Sequence, residues 1–314
     1  MLVGEKERKE SQLNGFDDSR GFRRQKACVG VCRGALGELF QGLSTDGSDE
    51  IVVVSSLIPK YSWAYFTPCE EGFASLRDQS LAAPERLKSF RALNLFCQSH
   101  QIRWPSGYWF FNSDLKVARG MASSTADIVA TLRCAANYLQ YSIGVDEIIH
   151  ILSKIERSDS VFLDRLSLFS SSCHQIIHQF DKVPPLYALY MHEREPVDTD
   201  GTKSMLIDFY QSNHRYYRNL YDRVEQALEK ADLKALCRIS SISAELSNEI
   251  LPKRNFYSIY KAQSRFSADG VIVAHTGSVV GLLYCQNPGV HIFEQVAQFY
   301  KELGGYCQFT EIRA

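Results

Sequence analysis

The chain has 314 residues, 45% of them hydrophobic and 23% charged, enough to bury one large or two modest cores without covalent staples. Lys+Arg 35 against Asp+Glu 36 leaves a formal charge of −1, which excludes bulk attraction to nucleic acid or to an anionic membrane surface, and no apolar run approaches the roughly 20 residues of a membrane span. Nine cysteines spread from Cys28 to Cys307 without a CxxC pair read as free thiols in a reducing cytoplasm, used as small core residues rather than as a disulfide or zinc framework.

Residues 1–26 mix seven basic and five acidic side chains with scattered apolar ones and no sustained period. Such a segment buries too little surface to offset its ordering entropy, so a solvated tail is expected, and it lacks the apolar stretch of a secretory signal. From Ala27 the texture changes. Residues 27–32 (ACVGVC) read as a short strand leading into the glycine-punctuated RGALGELFQG (33–42), IVVVSSLI (51–58) as a second strand and YSWAYF (61–66) as a third. Leu87, Phe90, Leu93 and Phe96 recur at helical spacing within 80–100, and YWFFNSDL (108–115) is another strand.

The stretch KVARGMASSTAD (116–127) precedes a helix carrying Ile128, Leu132, Ala135, Ala136 and Leu139 on one face. Ser124 with Asp127 three residues on predicts a capping box, which starts the helix at the serine pair. VDEIIHILSKIE (145–156) is a second amphipathic helix. Pro184-Pro185 precedes the strand LYALYMH (186–192), where a domain boundary is placed. Helices are expected over 203–230, 232–251 and around 255–267; VIVAHTGSVVGLLYC (271–285) reads as strand, tight turn and strand. A helix over 291–305 closed by glycines and a last strand over 307–312 complete the chain, with no internal repeat.

Three of these segments offer chemistry. Gly120 to Ser124 lies between a strand and a helix, where a glycine admits close backbone approach and free N–H groups and hydroxyls meet at the positive end of the helix: an anion site, or simply a cap. No GxxxxGK[ST] and no GxGxxG accompanies it. Glu156 and Asp159 supply carboxylates of the kind that phosphoryl transfer needs, one to hold Mg²⁺ and one to accept a hydroxyl proton; the alternative is a solvated acidic helix end. The turn 275–281 (HTGSVVG) holds two glycines and two hydroxyls between apolar strands.

Taken in order, GALGELFQG (34–42), KVARGMASSTA (116–126) and VAHTGSVVGLL (273–283) resemble the three motifs of the GHMP kinase superfamily. With IExxDS (155–160), they are similar more narrowly to the L-threonine kinases of cobalamin metabolism, from about residue 28 to the C-terminus. The resemblance implies an α+β, two-domain GHMP kinase fold: a ribosomal-protein-S5-like N-terminal ATP-binding domain over 27–185 and a ferredoxin-like C-terminal domain over 186–314. It further implies ATP and Mg²⁺ as cofactors, with the nucleotide phosphates over Arg119, Gly120, Met121, Ala122, Ser123, Ser124 and Thr125. Ser124 and Glu156 are implied as metal ligands and Asp159 as the catalytic base. Gly37, Glu38, Thr276, Gly277 and Ser278 fall on the substrate side. The implied reaction is phosphorylation of the L-threonine hydroxyl, in a protein without nucleic-acid or membrane partners, monomeric or homodimeric. Other small hydroxylated acceptors such as homoserine, serine or an amino alcohol stay open, as does a ligand sensor that has lost turnover. Three positions depart from the family pattern: Arg33 and Lys116 stand where proline usually opens the first two motifs, and Ala122 where glycine is frequent.

Overall fold

In the computed structural model of the protein, residues 27–44, 50–69, 84–193 and 203–313 are described; the predicted tail over 1–26 and the start of the helix predicted from residue 80 lie outside them. Two long strands open the fold, β1 (Cys28–Leu43) and β2 (Ile51–Pro68), antiparallel over nearly their whole length. The two strands predicted on either side of Pro59-Lys60 are therefore one. The sheet absorbs these two residues as a bulge, since Gly34 pairs with Ile58 but Arg33 with Tyr61. An irregularity of this kind keeps pairing alive on both sides of a residue that cannot donate to the ladder.

A 3₁₀ turn over Pro84–Arg86 leads into α1 (Leu87–Ser99), followed by β3 (Gly107–Ser113), α2 (Ser123–Tyr138) and α3 (Val145–Ser153). Helix α2 lies on β1 and β2 beneath α1, and it is buried nearly all round rather than along one stripe. Two short strands that no sequence pattern announced come next, β4 (Ser167–Ser170) and β5 (Gln175–Gln179), before β6 (Leu186–His192). The helical stretch predicted over 203–230 is two helices, α4 (Lys203–Ser212) and α5 (His214–Glu229), broken at Asn213. Helices α6 (Leu233–Ile250) and α7 (Phe256–Lys261) and a 3₁₀ turn over Ser264–Phe266 follow. The chain ends with β7 (Gly270–Val273), β8 (Val279–Tyr284), α8 (Gly289–Glu302) and β9 (Gln308–Ile312).

The nine strands of the described residues join one sheet in the order β5-β4-β2-β1-β7-β8-β6-β9, with β3 added to the far half of β2. The continuous apolar runs of β7 and β8 follow from burial on both faces. Val271, Val273, Val280 and Leu282 pack with Phe256, Phe266, Val296 and Tyr300, while Ile272, Val279 and Leu283 belong to the core shared with β1 and β2. The seam between the two parts of the sheet is narrow, a single register pair of Glu38 with Val273. The candidate site lies at that seam.

No disulfide joins cysteines among the described residues, and Cys32, Cys97, Cys134 and Cys237 are buried in the core. No helix among these residues is long and apolar enough to cross a membrane.

Candidate active site

The three glycine-containing segments, far apart in sequence, meet at the seam. The Gly37 N–H donates to the Gly120 carbonyl at 3.0 Å and the Ala35 N–H to that of Met121 at 3.1 Å, so the first segment is stitched to the second. The Ser278 N–H donates to the Arg119 carbonyl at 3.2 Å, which ties the third to the second. Gly37 and Gly120 stand at φ 64° and 79°, in the left-handed region where a side chain costs energy. A Cβ on Gly120 would come within 2.1 Å of the Ala274 Cβ, and one on Gly277 within 2.4 Å of the Gly120 Cα. Only glycine lets these backbones approach so closely.

Helix α2 starts at Ser123, as the serine pair predicted, but the capping box does not form. Its N-cap residue is Ala122, at φ 54°, and no side chain caps the helix. The two residues of the expected box are committed elsewhere: the Ser124 hydroxyl donates to Glu156 Oε2 at 2.8 Å, and Asp127 receives Ser62 and Arg86. Tertiary partners of charged or desolvated groups outcompete a local cap. The positive end of a sixteen-residue helix is thereby left for an anion.

Glu156 was expected at the end of the second amphipathic helix; α3 stops at Ser153 and Glu156 sits in the following turn. There it accepts from Ser124 and, at 3.4 Å, from Thr125 Oγ1, and it pairs with Lys88 of α1. Its main-chain carbonyl is held at 2.8 Å from His174 Nε2. Ser123, Ser124, Thr125 and Glu156 are thus brought together. Met121 is not part of this group through its side chain, which is buried in the core with Sδ 3.5 Å from the Lys116 N–H; only its main chain borders the loop.

Asp159 lies beside this cluster with the carboxylates of Glu38 and Glu156 near it. Burial, reinforced by the negative charge of Glu38, pushes its carboxyl up to about 7; Arg157 opposes the rise and Glu156 adds to it. Glu38 behaves oppositely. Burial disfavours its charge too, yet the hydrogen bonds and charge of His275, helped by Arg157, hold it below the ordinary carboxylate range. Glu38 Oε2 accepts from both the main-chain N–H and Nδ1 of His275 at 2.9 Å. His275 Nε2 in turn lies 2.9 Å from Ser243 Oγ on α6. The irregular register of β1 on either side of Glu38 aims this carboxylate at the seam.

Thr276 is half-buried in the turn between β7 and β8, with Gly277 and Ser278 buried behind it. The Arg119 guanidinium reaches this turn: it donates to the Glu193 carbonyl and, at 3.4 Å, to Ser278 Oγ. The departures Arg33 and Lys116 bring nothing to the cluster. Arg33 leans toward Asp164 at 3.8 Å and the Arg313 carbonyl at 3.4 Å, and Lys116 is exposed. Sequence reasoning did not single out Lys88, Arg157 or His275 as contributors. His275 falls within a quoted motif, but its pairing with a residue 237 positions away has no local signal.

The geometry has parallels among known proteins. The family description "GHMP kinases N terminal domain" matches residues 88–163. The chain is 30% identical over 176 residues to an L-threonine kinase of Citrobacter freundii, a stretch covering 56% of this chain and 61% of that one, about three fifths of the relative's length. It is 28% identical over 267 residues to an L-threonine kinase of Salmonella typhimurium, covering 83% of this chain and 84% of that one. Among solved structures, a mevalonate kinase superposes with a TM-score of 0.70 at 11% identity, covering 91% of this chain and 99% of that chain. A galactokinase of Lactococcus lactis gives a TM-score of 0.68 at 11% identity, covering 98% and 97%. The chain has their α+β GHMP kinase fold, and its sequence is similar to the GHMP kinases over residues 88–163 and, more distantly, to an L-threonine kinase over 83% of its length.

Proposed function

We propose that the protein transfers the terminal phosphoryl group of ATP to the hydroxyl of L-threonine, giving O-phospho-L-threonine and ADP. The observation that carries this reading is the meeting, at one seam, of an uncapped helix start, a hydroxyl–carboxylate pair and a carboxyl with a near-neutral pKa. The two L-threonine kinase relatives support the acceptor. The residues present suit both bound groups. The start of α2 and the hydroxyls of Ser123, Ser124 and Thr125 suit phosphate oxygens, and the all-oxygen pair of Ser124 and Glu156 suits Mg²⁺. Burial lifts Asp159 to about 7 first of all, and the added negative charge of Glu38 and Glu156 is what a divalent cation would offset.

In this reading Arg119 to Thr125 line the phosphates, and Ser124 with Glu156 would hold the metal. Mg²⁺, when bound, neutralises charge on the phosphate oxygens during transfer. Asp159 accepts the proton of the acceptor hydroxyl as its oxygen bonds to phosphorus and the bond from phosphorus to the bridging oxygen of ADP breaks. A carboxyl poised near neutrality both takes and releases that proton at working pH. Glu38, fixed by His275, is a permanent negative charge on the acceptor side and suits an ammonium group. Gly37 and the 276–278 turn bring the C-terminal strands up to the reacting groups, so catalysis is mainly positioning.

The test is ³¹P NMR of the protein with Mg-ATP and, in turn, L-threonine, L-serine, L-homoserine and 1-amino-2-propanol. A new phosphomonoester signal with L-threonine and ADP release in equal amount is the expected result. A signal with a different acceptor alone reassigns the substrate, and none with any acceptor removes the kinase reading.

A further inference from the structure

Lys253 lies in the turn between α6 and α7, only 6% exposed, and its ammonium makes no hydrogen bond. Its main chain is pinned on both sides: its N–H donates to Asn248 Oδ1 at 2.8 Å and its carbonyl accepts from the Phe256 N–H at 3.2 Å. The side chain is therefore held in place rather than left to swing into water. A buried ammonium with no acceptor for its protons is costly, and a native fold retains one where a ligand completes it.

The two carboxylates that act on Lys253 are Glu38 and Glu193, and both are already committed. Glu38 receives His275 twice through Oε2. Glu193 receives the main-chain N–H of Asn255 at 2.7 Å and that of Arg254 at 3.1 Å. The loop carrying Glu193 is itself fastened to the candidate site, its N–H donating to the Ser278 carbonyl at 2.8 Å and its carbonyl accepting from Arg119. Lys253 thus sits on the Glu38 side of the seam. The nucleotide side has its own cation, Lys88 on Glu156, together with the positive end of α2.

We infer that the Lys253 ammonium receives the carboxylate of the acceptor, so that it selects an amino acid over the corresponding amino alcohol. The inference rests on the kinase reading above. Glu38 and Lys253 then form an opposed pair, one charge for each end of a zwitterionic acceptor, with the hydroxyl left toward Asp159. Lys253 is a specificity residue here; it takes no part in bond making.

The test compares wild type, Lys253→Met and Lys253→Arg with L-threonine and with 1-amino-2-propanol, which is L-threonine without its carboxylate. A charge-assisted hydrogen bond is worth about 10- to 100-fold in affinity, so Lys253→Met should raise KM for L-threonine by about that factor. The loss with L-threonine should exceed the loss with 1-amino-2-propanol at least about tenfold, with KM for ATP moving far less and Lys253→Arg recovering part of the discrimination. Equal losses with both acceptors, or a loss read in KM for ATP, overturn the assignment while leaving the kinase intact. If wild type turns over neither acceptor, the kinase reading fails on its own, and calorimetric titration with L-threonine decides Lys253. Binding by wild type that Lys253→Met loses, with its thermal midpoint preserved, supports the carboxylate contact; no binding by wild type, or equal binding by both, removes it.

Discussion

The two ends of the seam handle charge in opposite ways. At the start of α2 the charges are matched: Glu156 is satisfied by Ser124, Thr125 and Lys88, and Asp127 by Ser62 and Arg86. On the acceptor side Asp159 is pushed up to about 7 and Lys253 down to about 8, each by burial first. The difference teaches where protein alone completes a site and where it stops short. Groups satisfied by side chains set a frame, and groups whose burial outweighs the partners they have are the ones a ligand changes most.

The largest expected break of this contrast comes from Asp159→Asn, which keeps the shape and removes the titrating group. Turnover should fall by about 10²- to 10⁴-fold with nucleotide affinity nearly preserved, measured by ADP release and by nucleotide titration. In wild type, kcat/KM should fall as pH drops through about 7, because the base is protonated below that value. The same substitution should stabilise the fold. A carboxyl raised in the folded state opposes folding once it ionises, so stability is lost as pH rises from about 4 through 7. Asp159→Asn recovers up to about 4 kcal/mol at pH 8 and nothing near pH 3, as denaturation at the two pH values would read.

Gly120→Ala tests the close approach rather than the charges. Its Cβ would meet Ala274 at 2.1 Å in a left-handed backbone, so a loss of about 2–4 kcal/mol in denaturant unfolding is expected, with turnover impaired beyond what stability explains. Glu156→Gln acts on the matched end: it should shift the Mg²⁺ titration of activity about tenfold to higher concentration, and the pH profile should survive but move to slightly lower pH, because the Glu156 charge adds to the rise of Asp159; that would separate the roles of two carboxylates three residues apart. Ala122→Gly is the mildest. Relief of a non-glycine φ of 54° should raise stability by about 1 kcal/mol in thermal unfolding.

Much of this was legible in the chain itself. The strand–turn–strand over 271–285, the helix starting at Ser123 and the terminal helix and strand all carry local periodicity or punctuation, and the three motif segments were visible because glycine and serine clusters stand out against apolar strands. Among the readings that missed, three show the reason most clearly. Strands β4 and β5 are four and five residues long, too short for a period-2 pattern to show. Pro59 suggested a break between strands where the sheet accommodates a bulge. The Ser124–Asp127 spacing matched a capping box, but Glu156, Ser62 and Arg86 are stronger partners than a main-chain N–H at a helix end.

The longer helices and strands and the glycine- and serine-bearing motif segments were determined by the sequence alone, since each depends on residue type and on neighbours a few positions away. The ionisation of Asp159, the pairing of Glu38 with His275 and the unmet ammonium of Lys253 were decided by tertiary structure. Burial and charge at a point in space are set by residues that the chain brings there from more than a hundred positions away.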